Sequence, residues 1–381
     1  MTRPFRVAIV GAGPAGIYAA DLLTKAERDF EVSIDLFERL PTPFGLVRYG
    51  VAPDHPRIKG IINALIKVLD RGDIRLFSNV DYGTDITIDE LRAHYDAVIF
   101  STGATDDRAL DIPGIDLDGS YGAAQFVAWY DGHPDFPRTW PLEAEKVAVI
   151  GVGNVALDVA RILVTDPDEL AKTDIADHAL AKLRESNISE VVLLGRRGVA
   201  QAAYTNSEFL ALGDVDGVDV VIDPDELVLD PASEAAQSDD TLDSTIATKV
   251  RLAREFAERP QTPGNKRIVF RFLTSPVEIA GDGEVATLTC VRNAYADATG
   301  TVAVTPTEDR FDLETGLVLR AIGYRGVPVT DLPFDEGHGV VPNTEGRVQT
   351  AADGDVGHAD RAAVHLADEC PLAAGDLMAA Q

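Results

Sequence analysis

Two glycine-rich motifs carry the clearest chemical signal in this sequence, and each directly follows a short apolar run. The motif residues are Gly11, Gly13 and Gly16 in the first and Gly151, Gly153 and Ala156 in the second. The first glycine permits a tight strand-to-helix turn, the second lets the backbone approach a pyrophosphate, and the third small residue lets helix and strand pack closely. The helix N-terminus then offers free N–H groups to the phosphates. One such motif is weak evidence, because glycine-rich turns occur in many α/β folds, but two together predict two dinucleotide sites.

The residues at the end of the next apolar run differ between the two motifs. After the first motif the run ends in Glu38, 22 residues past Gly16. A carboxylate there can accept hydrogen bonds from ribose hydroxyls, which suits an adenosine without a 2′-phosphate, as in FAD or NAD. After the second motif, the run at 190–195 ends in Arg196 and Arg197. Two guanidiniums favour a 2′-phosphate and hence NADP; the alternative is a solvated surface pair, which their position at a strand end disfavours.

The elements that must position these residues alternate between strands and helices. Apolar runs predict strands at 5–10, 32–38, 146–150, 190–195, 267–273 and 284–292, and the first motif opens a predicted helix over 15–27. Two more runs, at 96–104 and 316–324, lead into glycine turns. In two-dinucleotide flavoproteins, segments of this kind mark the crossings between domains. The acidic stretch 230–245 is predicted to be an exposed connection.

This order of elements predicts an α/β protein with two Rossmann-like dinucleotide-binding domains, the NADP domain inserted into the FAD domain. The crossings near residues 104 and 322 place an FAD-binding domain over 1–104 and 323–381 and an NADP-binding domain over 105–322. Two dinucleotides in one chain predict that electrons pass between them. A nicotinamide–flavin oxidoreductase is therefore the leading hypothesis.

The composition argues against several other classes of protein. The 381 residues carry a net charge of −29, which disfavours nucleic acid or an anionic membrane as a partner. No apolar run approaches the about 18 residues of a spanning helix, and the first predicted strand begins at Phe5, so we expect a cytoplasmic protein without a signal peptide. The two cysteines, Cys290 and Cys370, form no C-x-x-C pair and are too few for an iron–sulfur cluster. We expect both to be inert and predict no metal site.

Several longer segments resemble the ferredoxin–NADP reductases of the adrenodoxin reductase type. They are PTPFGLVRYGVAPDHP at 41–56, VIGVGNVALDVARIL at 149–163, TDIADHAL at 173–180, GRRG at 195–198 and FRFLTSP at 270–276. The similarity runs over about residues 5–347. It implies an enzyme that binds FAD and NADP, moves a hydride from NADPH to the flavin and passes single electrons to a ferredoxin. The flavin supplies the switch from two electrons to one.

The resemblance also implies which residues contact the two cofactors. For FAD they are Gly11, Gly13, Ala15, Gly16, Glu38, Leu46 and Tyr82. For NADP they are Arg108, Val152, Gly153, Asn154, Val155, Arg196, Arg197 and Glu208. Tyr82, assigned to a strand after Val80, stands at a position where main-chain atoms meet the adenine edge and where the family more often has valine.

His55 is the polar residue that the family places near the flavin ring, which implies a catalytic role in handling a proton or in orienting a group. Pro56 restricts His55 to an extended conformation, so we expect it on a loop. The alternative is an ordinary exposed loop histidine. The chain also departs from the family here. The family commonly has E-L-R-E where this chain has Glu208-Phe209-Leu210-Ala211, so the second acid, a plausible charge partner for His55, is missing.

The larger departure begins at about residue 348. There the family continues into a glycine- and tryptophan-containing motif that covers the flavin, whereas residues 350–381 are rich in alanine and aspartate and contain no aromatic residue. The change predicts impaired activity and leaves two alternatives to an active reductase. One is a flavin-poor, non-catalytic relic that still binds NADP, and the other is an NADPH dehydrogenase with another electron acceptor.

Overall fold

The computed structural model describes residues 3–296, 302–349 and 363–366, and every structural statement below concerns these residues. The strands are β1 Phe5–Val10, β2 Val32–Glu38, β3 Ile74–Ser78, β4 Ala97–Phe100, β5 Asp106–Asp107, β6 Ser120–Gly122, β7 Lys146–Ile150, β8 Glu190–Leu194, β9 Val218–Ile222, β10 Lys266–Arg271, β11 Thr274–Ala280, β12 Thr287–Ala296, β13 Ala303–Glu314, β14 Leu317–Arg320, β15 Tyr324–Arg325, β16 Asn343–Thr344, β17 Arg347–Val348 and β18 Ala363–Leu366. The helices are α1 Pro14–Lys25, α2 Gly45–Tyr49, α3 Pro56–Lys59, α4 Ile62–Leu69, α5 Ile88–His94, α6 Ala123–Tyr130, α7 Asn154–Val164, α8 Pro167–Leu170, α9 Asp177–Arg184, α10 Asn206–Leu212, α11 Pro231–Ser238 and α12 Ser244–Glu258, with 3-10 turns at Val199–Gln201 and Pro224–Glu226.

The chain divides into two compact units. The first contains residues 1–51, 55–106 and 324–381, and the second contains residues 52–54 and 107–323. The second unit is therefore inserted into the sequence of the first, apart from the three residues Ala52–Asp54, which are counted with the second unit.

A seven-stranded sheet forms the first unit, in the order β16-β17-β18-β4-β1-β2-β3. The pairs from β18 to β3 are parallel. Apolar side chains cover both faces of the sheet, with Ile9 and Leu36 in one core cluster and Val98 and Phe100 in another. Strands buried on both faces are typical of a doubly wound α/β sheet.

A six-stranded parallel sheet forms the second unit, in the order β6-β14-β7-β8-β10-β9. Helix α7 packs its apolar side, including Leu157 and Ile162, into the larger core cluster of this unit. Between β10 and β14 the chain adds a separate antiparallel sheet of β11, β12 and β13. Two parallel sheets, each with its own glycine turn, confirm the prediction of an α/β protein with two Rossmann-like domains.

One expectation about local structure is only partly right. Residues 231–245 are mostly exposed, as predicted, but Asp230 is buried, α11 lies within the stretch and α12 begins at its end. The Asp230 side chain accepts hydrogen bonds from Ala232 N and Ser233 N at 3.2 and 3.1 Å, and Pro231 occupies the first turn. An aspartate cap followed by proline is a strong signal for a helix start, and here it outweighs the polar composition.

Among the described residues, no helix has both the length and the apolar character needed to cross a membrane.

Candidate dinucleotide sites

The first glycine turn, in the first unit, requires glycine at two positions for steric reasons. Gly11 has φ +106°, and a Cβ atom there would lie 2.4 Å from Ser101 O. A Cβ at Gly16 would lie 2.1 Å from Gly11 O. Both distances are far too short for carbon and oxygen that are not bonded, so only glycine lets β1, α1 and the end of β4 meet this closely.

Gly13 serves a different purpose from its neighbours. A Cβ there would meet only one atom within 4 Å, Gly45 Cα at 3.9 Å, so the backbone faces space that a side chain would fill. Helix α1 begins just after Gly13, and Ile17 N donates to Gly13 O at 3.1 Å in its first turn. The N–H group of Ala15 therefore precedes the bonded part of the helix. Open space beside exposed N–H donors fits a pyrophosphate.

Glu38 ends β2 beside this turn and is 9% exposed. Its two carboxylate oxygens accept hydrogen bonds from Ala12 N and from Leu40 N, both at 2.9 Å. The carboxylate thus ties the motif to the end of the second strand. Each oxygen keeps a second lone pair, which fits the predicted acceptance of ribose hydroxyl groups.

Leu46 and Tyr82 both follow Glu38 in the sequence of the first unit. Leu46 belongs to α2, is 44% exposed and follows Gly45 directly. Tyr82 is not in a regular strand, contrary to expectation, because β3 ends at Ser78 and Tyr82 forms only an isolated bridge with Ile86. The Tyr82 hydroxyl donates to Thr330 O at 2.9 Å, and burial raises the pKa of Tyr82 to about 12. The phenol is therefore neutral at physiological pH.

His55 is half-buried and lies directly before α3. Its φ of −105° and ψ of 64° are not fully extended, so the expected conformation is only partly right. The His55 carbonyl accepts hydrogen bonds from Ile58 N and Lys59 N, which starts the helix, and Pro56 occupies the first helical position that proline favours. His55 is therefore held by a helix start rather than by a loose loop.

The second glycine turn, in the second unit, repeats the geometry of the first. Gly151 has φ +131°, and a Cβ there would lie 2.2 Å from Ala321 O. Gly153 again faces space, since an added Cβ would meet only Ala203 Cβ at 3.9 Å. Ala156, the third small residue, is fully buried. This turn fits a second pyrophosphate by the same test as the first.

A neighbouring loop covers part of this turn. Val152 O accepts hydrogen bonds from Ala203 N at 3.0 Å and Tyr204 N at 3.2 Å, and Asn154 Oδ1 accepts one from Thr205 N at 2.8 Å. Asn154 and Val155 stand in the first turn of α7, where Leu157 N donates to Gly153 O at 3.1 Å. The predicted NADP contacts at 152–155 therefore form one continuous, braced turn.

Arg196 and Arg197 follow β8 in the second unit, and the turn at Gly151 lies beside them, since Gly151 N donates to Leu194 O at 2.9 Å. Arg196 is exposed and Arg197 is half-buried. Within the described part of the chain, neither guanidinium forms an ion pair with a carboxylate. Two cations left without a protein counter-ion fit the 2′-phosphate of NADP.

Arg108 lies near the start of the second unit and is held there by a backbone hydrogen bond. The Arg108 N–H donates to Gly323 O at 3.0 Å, and its side chain is exposed. Gly323 has φ +106° and lies just after β14. Ala321, the residue after β14, places its carbonyl oxygen next to Gly151. The predicted contact of Arg108 with NADP is compatible with this position.

Glu208 belongs to a buried ion network that the sequence did not reveal. Its centre is Arg161, only 5% exposed, whose guanidinium binds both carboxylate oxygens of Asp54 at 2.5 and 2.9 Å. Arg161 also contacts Asp158 at 2.7 Å and Glu208 Oε2 at 3.5 Å. Burial alone would lower the pKa of Arg161, but the hydrogen bonds that it donates to Asp54 and the negative charge of Asp158 outweigh burial and raise it. The arginine is permanently charged and joins three separate segments.

Sequence reasoning missed Ser101, Gly45 and Arg161. The hydroxyl of Ser101 lies 2.8 Å from Gly11 O, at the end of the run predicted over 96–104, so the strand end was a usable signal for it. Gly45 stands in the segment quoted for the family resemblance, but only its φ of +48° beside Gly13 shows why glycine is needed there. Arg161 gave no local signal, because its partner Asp54 is 107 residues away.

The cysteine prediction is supported where it can be examined. Cys290 is fully buried, and burial raises the pKa of its thiol to about 12, so the reactive thiolate is absent at physiological pH. Cys370 and the altered segment at 350–362 and 367–381 lie outside the described residues.

Comparison with known proteins identifies the family. Residues 5–198, which include both glycine turns and both arginines, match the family described as pyridine nucleotide-disulphide oxidoreductase. The chain belongs to this family. One relative places it more narrowly: the chain is 49% identical over 351 residues to the NADPH-ferredoxin reductase FprA of Mycobacterium tuberculosis, covering 91% of this chain and 76% of that protein.

Two further likenesses agree with this placement. The chain is 40% identical over 363 residues to the mitochondrial NADPH:adrenodoxin oxidoreductase of Arabidopsis thaliana, covering 93% of this chain and 75% of that protein. The structure of Mycobacterium tuberculosis FprA in complex with NADPH superposes with a TM-score of 0.87 at 46% identity, over 96% of this chain and 78% of that chain. The resemblance to adrenodoxin reductase-type enzymes is therefore confirmed.

Proposed function

We propose that this chain is an FAD-dependent NADPH–ferredoxin reductase. One observation carries the proposal: two glycine turns of the same geometry are followed by opposite charges, Glu38 after the first and Arg196 and Arg197 after the second. This combination supports one adenosine with a free ribose and one with a 2′-phosphate. Relatives at 40–49% identity that are named NADPH-ferredoxin reductase and NADPH:adrenodoxin oxidoreductase agree with it.

In this proposal the first unit binds FAD and the second binds NADP, with domain limits at 1–104, 105–322 and 323–381. When bound, FAD would supply the two-electron chemistry with NADPH and the one-electron chemistry with an iron–sulfur protein. The chain would bind the two pyrophosphates at the turns of Gly13 and Gly153. It would distinguish the two adenosines through Glu38 and the arginine pair. Its task is to hold and orient, since hydride transfer needs reacting atoms about 3–3.5 Å apart.

The decisive experiment measures three properties of the purified protein: its visible absorption spectrum, its flavin content per chain, and its NADPH-driven reduction of a ferredoxin. We expect about one FAD per chain and a rate with NADPH far above that with NADH. A colourless protein that still binds NADPH would contradict the proposal and favour the flavin-poor relic. A yellow protein that reduces artificial acceptors but no ferredoxin would favour the dehydrogenase, although the comparisons support neither alternative.

His55 is proposed to handle a proton or to orient a group during the reaction. Its support is its half-buried position at the fixed start of α3, within the segment 41–56 that resembles the family. Replacing His55 with Gln should change the pH dependence of the reduction rate while leaving NADPH affinity unchanged. An unchanged pH profile would contradict the role. The cytoplasmic location expected from the sequence is likewise a proposal.

A further inference from the structure

The loop that carries the two arginines is anchored entirely through its backbone. Three consecutive carbonyl groups of the loop each accept one hydrogen bond from residues that lie 76 or more positions further along the chain. The bonds are Thr274 N to Gly195 O at 2.9 Å, Asn293 Nδ2 to Arg196 O at 2.8 Å and Leu273 N to Arg197 O at 3.2 Å. Every carbonyl from 195 to 197 is therefore held by the start of β11 or by β12.

Asn293 provides the one side-chain contact among these three bonds. It is 7% exposed, and its amide nitrogen donates both to Arg196 O and to Ser275 Oγ at 2.8 Å. Its backbone N–H donates to Leu273 O at 2.7 Å, which fixes the residue that itself holds Arg197. A side-chain amide has two N–H donors, and both have partners here.

The strand that carries Asn293 is irregular at this point. The pairing of β12 with β13 shifts register between Val291 and Asn293, and Leu273 has a positive φ of +49°. Irregularities of this kind often re-aim a side chain beside a functional site. Here two of them coincide at the residues that hold the arginine loop.

No carboxylate of the described residues forms an ion pair with either guanidinium. The buried carboxylate of Glu226, whose backbone partner is Phe272 N at 2.9 Å, is already bound by Arg271 and Arg292. The direction of Arg196 and Arg197 thus depends on the backbone to which they are attached. A loop held through its carbonyl groups leaves its arginine side chains available for a ligand.

We propose that Asn293 is a positioning residue for coenzyme selection: by holding Arg196 O it sets the arginine loop in the place where the guanidiniums meet the 2′-phosphate of NADP. This inference rests on the proposed function, since it assumes that Arg196 and Arg197 read that phosphate. It assigns part of the selection to a residue that does not touch the coenzyme. The antiparallel sheet β11–β13 thereby gains a role as the support of the arginine loop.

The test is Asn293→Leu, which has nearly the same size and no hydrogen-bonding groups. Adenosine 2′,5′-bisphosphate is the probe, because it carries the 2′-phosphate without the nicotinamide. Loss of one buried hydrogen bond should weaken its binding, measured by calorimetry, by about tenfold. KM for NADPH should rise by a similar factor while KM for NADH stays within about twofold.

The matched control is Asn265→Leu. Asn265 lies in the same unit, and its side-chain amide donates to Asp219 Oδ1 at 2.9 Å, away from the arginine loop. The Asn265→Leu variant should leave the preference for NADPH over NADH unchanged. Ser275→Ala removes the other partner of the Asn293 amide but keeps the bond to Arg196 O, so it should also preserve the preference.

The outcomes distinguish a failure of the proposed function from a failure of the role of Asn293. A wild-type protein without preference for NADPH contradicts the proposed function itself. A wild-type preference that Asn293→Leu retains, or an equal loss of both coenzymes, overturns the role of Asn293 alone. Where the leucine variant does not fold, Asn293→Ser takes its place with the same expectations, because its hydroxyl is too short to reach Arg196 O.

Discussion

The two glycine turns of this protein have nearly the same backbone geometry, but the side chains at the end of the next strand carry opposite charges. Gly11 and Gly151 both have positive φ and both abut a carbonyl, and Gly13 and Gly153 both face open space. In the first unit a buried carboxylate, Glu38, binds the turn directly through two backbone N–H groups. In the second unit the strand is followed by two arginines that form no ion pair with any carboxylate the structure describes. The shared geometry suits what the two ligands share, a pyrophosphate, and the difference selects the adenosine.

The difference extends to how each selecting group is held. The Glu38 carboxylate oxygens accept the hydrogen bonds that hold the side chain in place. The same two oxygens are the atoms proposed to contact the ribose. The arginine loop is held through its backbone carbonyls, one of which accepts a hydrogen bond from Asn293. In the described part of the chain, the guanidiniums that are proposed to contact the 2′-phosphate take no part in holding the loop. A change of selectivity in the second unit can therefore come from residues far from the ligand, whereas in the first unit it must involve Glu38 itself.

The largest expected effect tests the cationic side of this comparison. Replacing Arg196 and Arg197 together with alanine removes two charge-assisted contacts of about 1.5–3 kcal/mol each. NADPH affinity should fall by roughly a hundredfold or more while NADH affinity stays unchanged. The matched control is Arg251→Ala with Arg254→Ala on α12, which removes two exposed positive charges from the same unit. Equal loss of both coenzymes in the first variant would refute the assignment.

The second prediction concerns the buried ion network, which in this comparison belongs to the second unit. Arg161→Met leaves Asp54, Asp158 and Glu208 without their shared cation, and the free energy of unfolding should fall by about 3 kcal/mol. Denaturant unfolding of the variant and the parent measures this loss.

Arg161→Lys sharpens that result. Lysine keeps the charge but cannot bind both oxygens of Asp54 in a fork, so its loss of stability should be intermediate. A methionine variant as stable as the parent would show that the network contributes nothing to the stability of the second unit.

The third prediction tests the acidic side. Glu38→Ala leaves Ala12 N and Leu40 N buried without an acceptor and removes the ribose contact, so FAD should bind about tenfold more weakly or worse. Flavin retained after gel filtration measures the loss, and NADP titration should be unchanged. Glu27→Ala, which removes an exposed acid just after α1, is the control. Loss of NADP binding with FAD retained would mean that the two sites are assigned the wrong way round.

The smallest expected effect concerns a buried lysine that supports the second turn. Lys249 is 7% exposed, its ammonium donates to Ala202 O beside the loop that covers Val152, and burial lowers its pKa from the ordinary 10.5. Between the lowered and the ordinary pKa the unfolded chain binds more protons, so this group makes stability rise with pH in that window. Lys249→Met should remove that rise, as thermal unfolding between about pH 8 and pH 10 would show. An unchanged slope would contradict it.

The sequence predicted what depends on local pattern. The strands at 32–38 and 146–150 have the bounds that their apolar runs indicated, and both glycine turns are where the motif places them. The helix at Pro231–Ser238 was missed although its capping signal was present, because acidic composition was weighed above the cap. Arg161 and Asn293 could not be found from spacing, since their partners are 107 and 97 residues away and only the folded chain brings them together.

The order of strands in the first sheet has a consequence for the chain while it is being made. Strand β4 lies between β1 and β18, yet residues 101–362 separate β4 from β18 along the chain. At about 5–20 residues per second, a ribosome needs roughly 13 to 50 seconds to synthesise that stretch. Throughout this time one edge of β4 is without its partner, and such edges invite pairing with other chains. The inserted unit, contained almost wholly in residues 107–323, can be completed first, so the newly made N-terminal strands depend on protection in the cell until the last strand arrives.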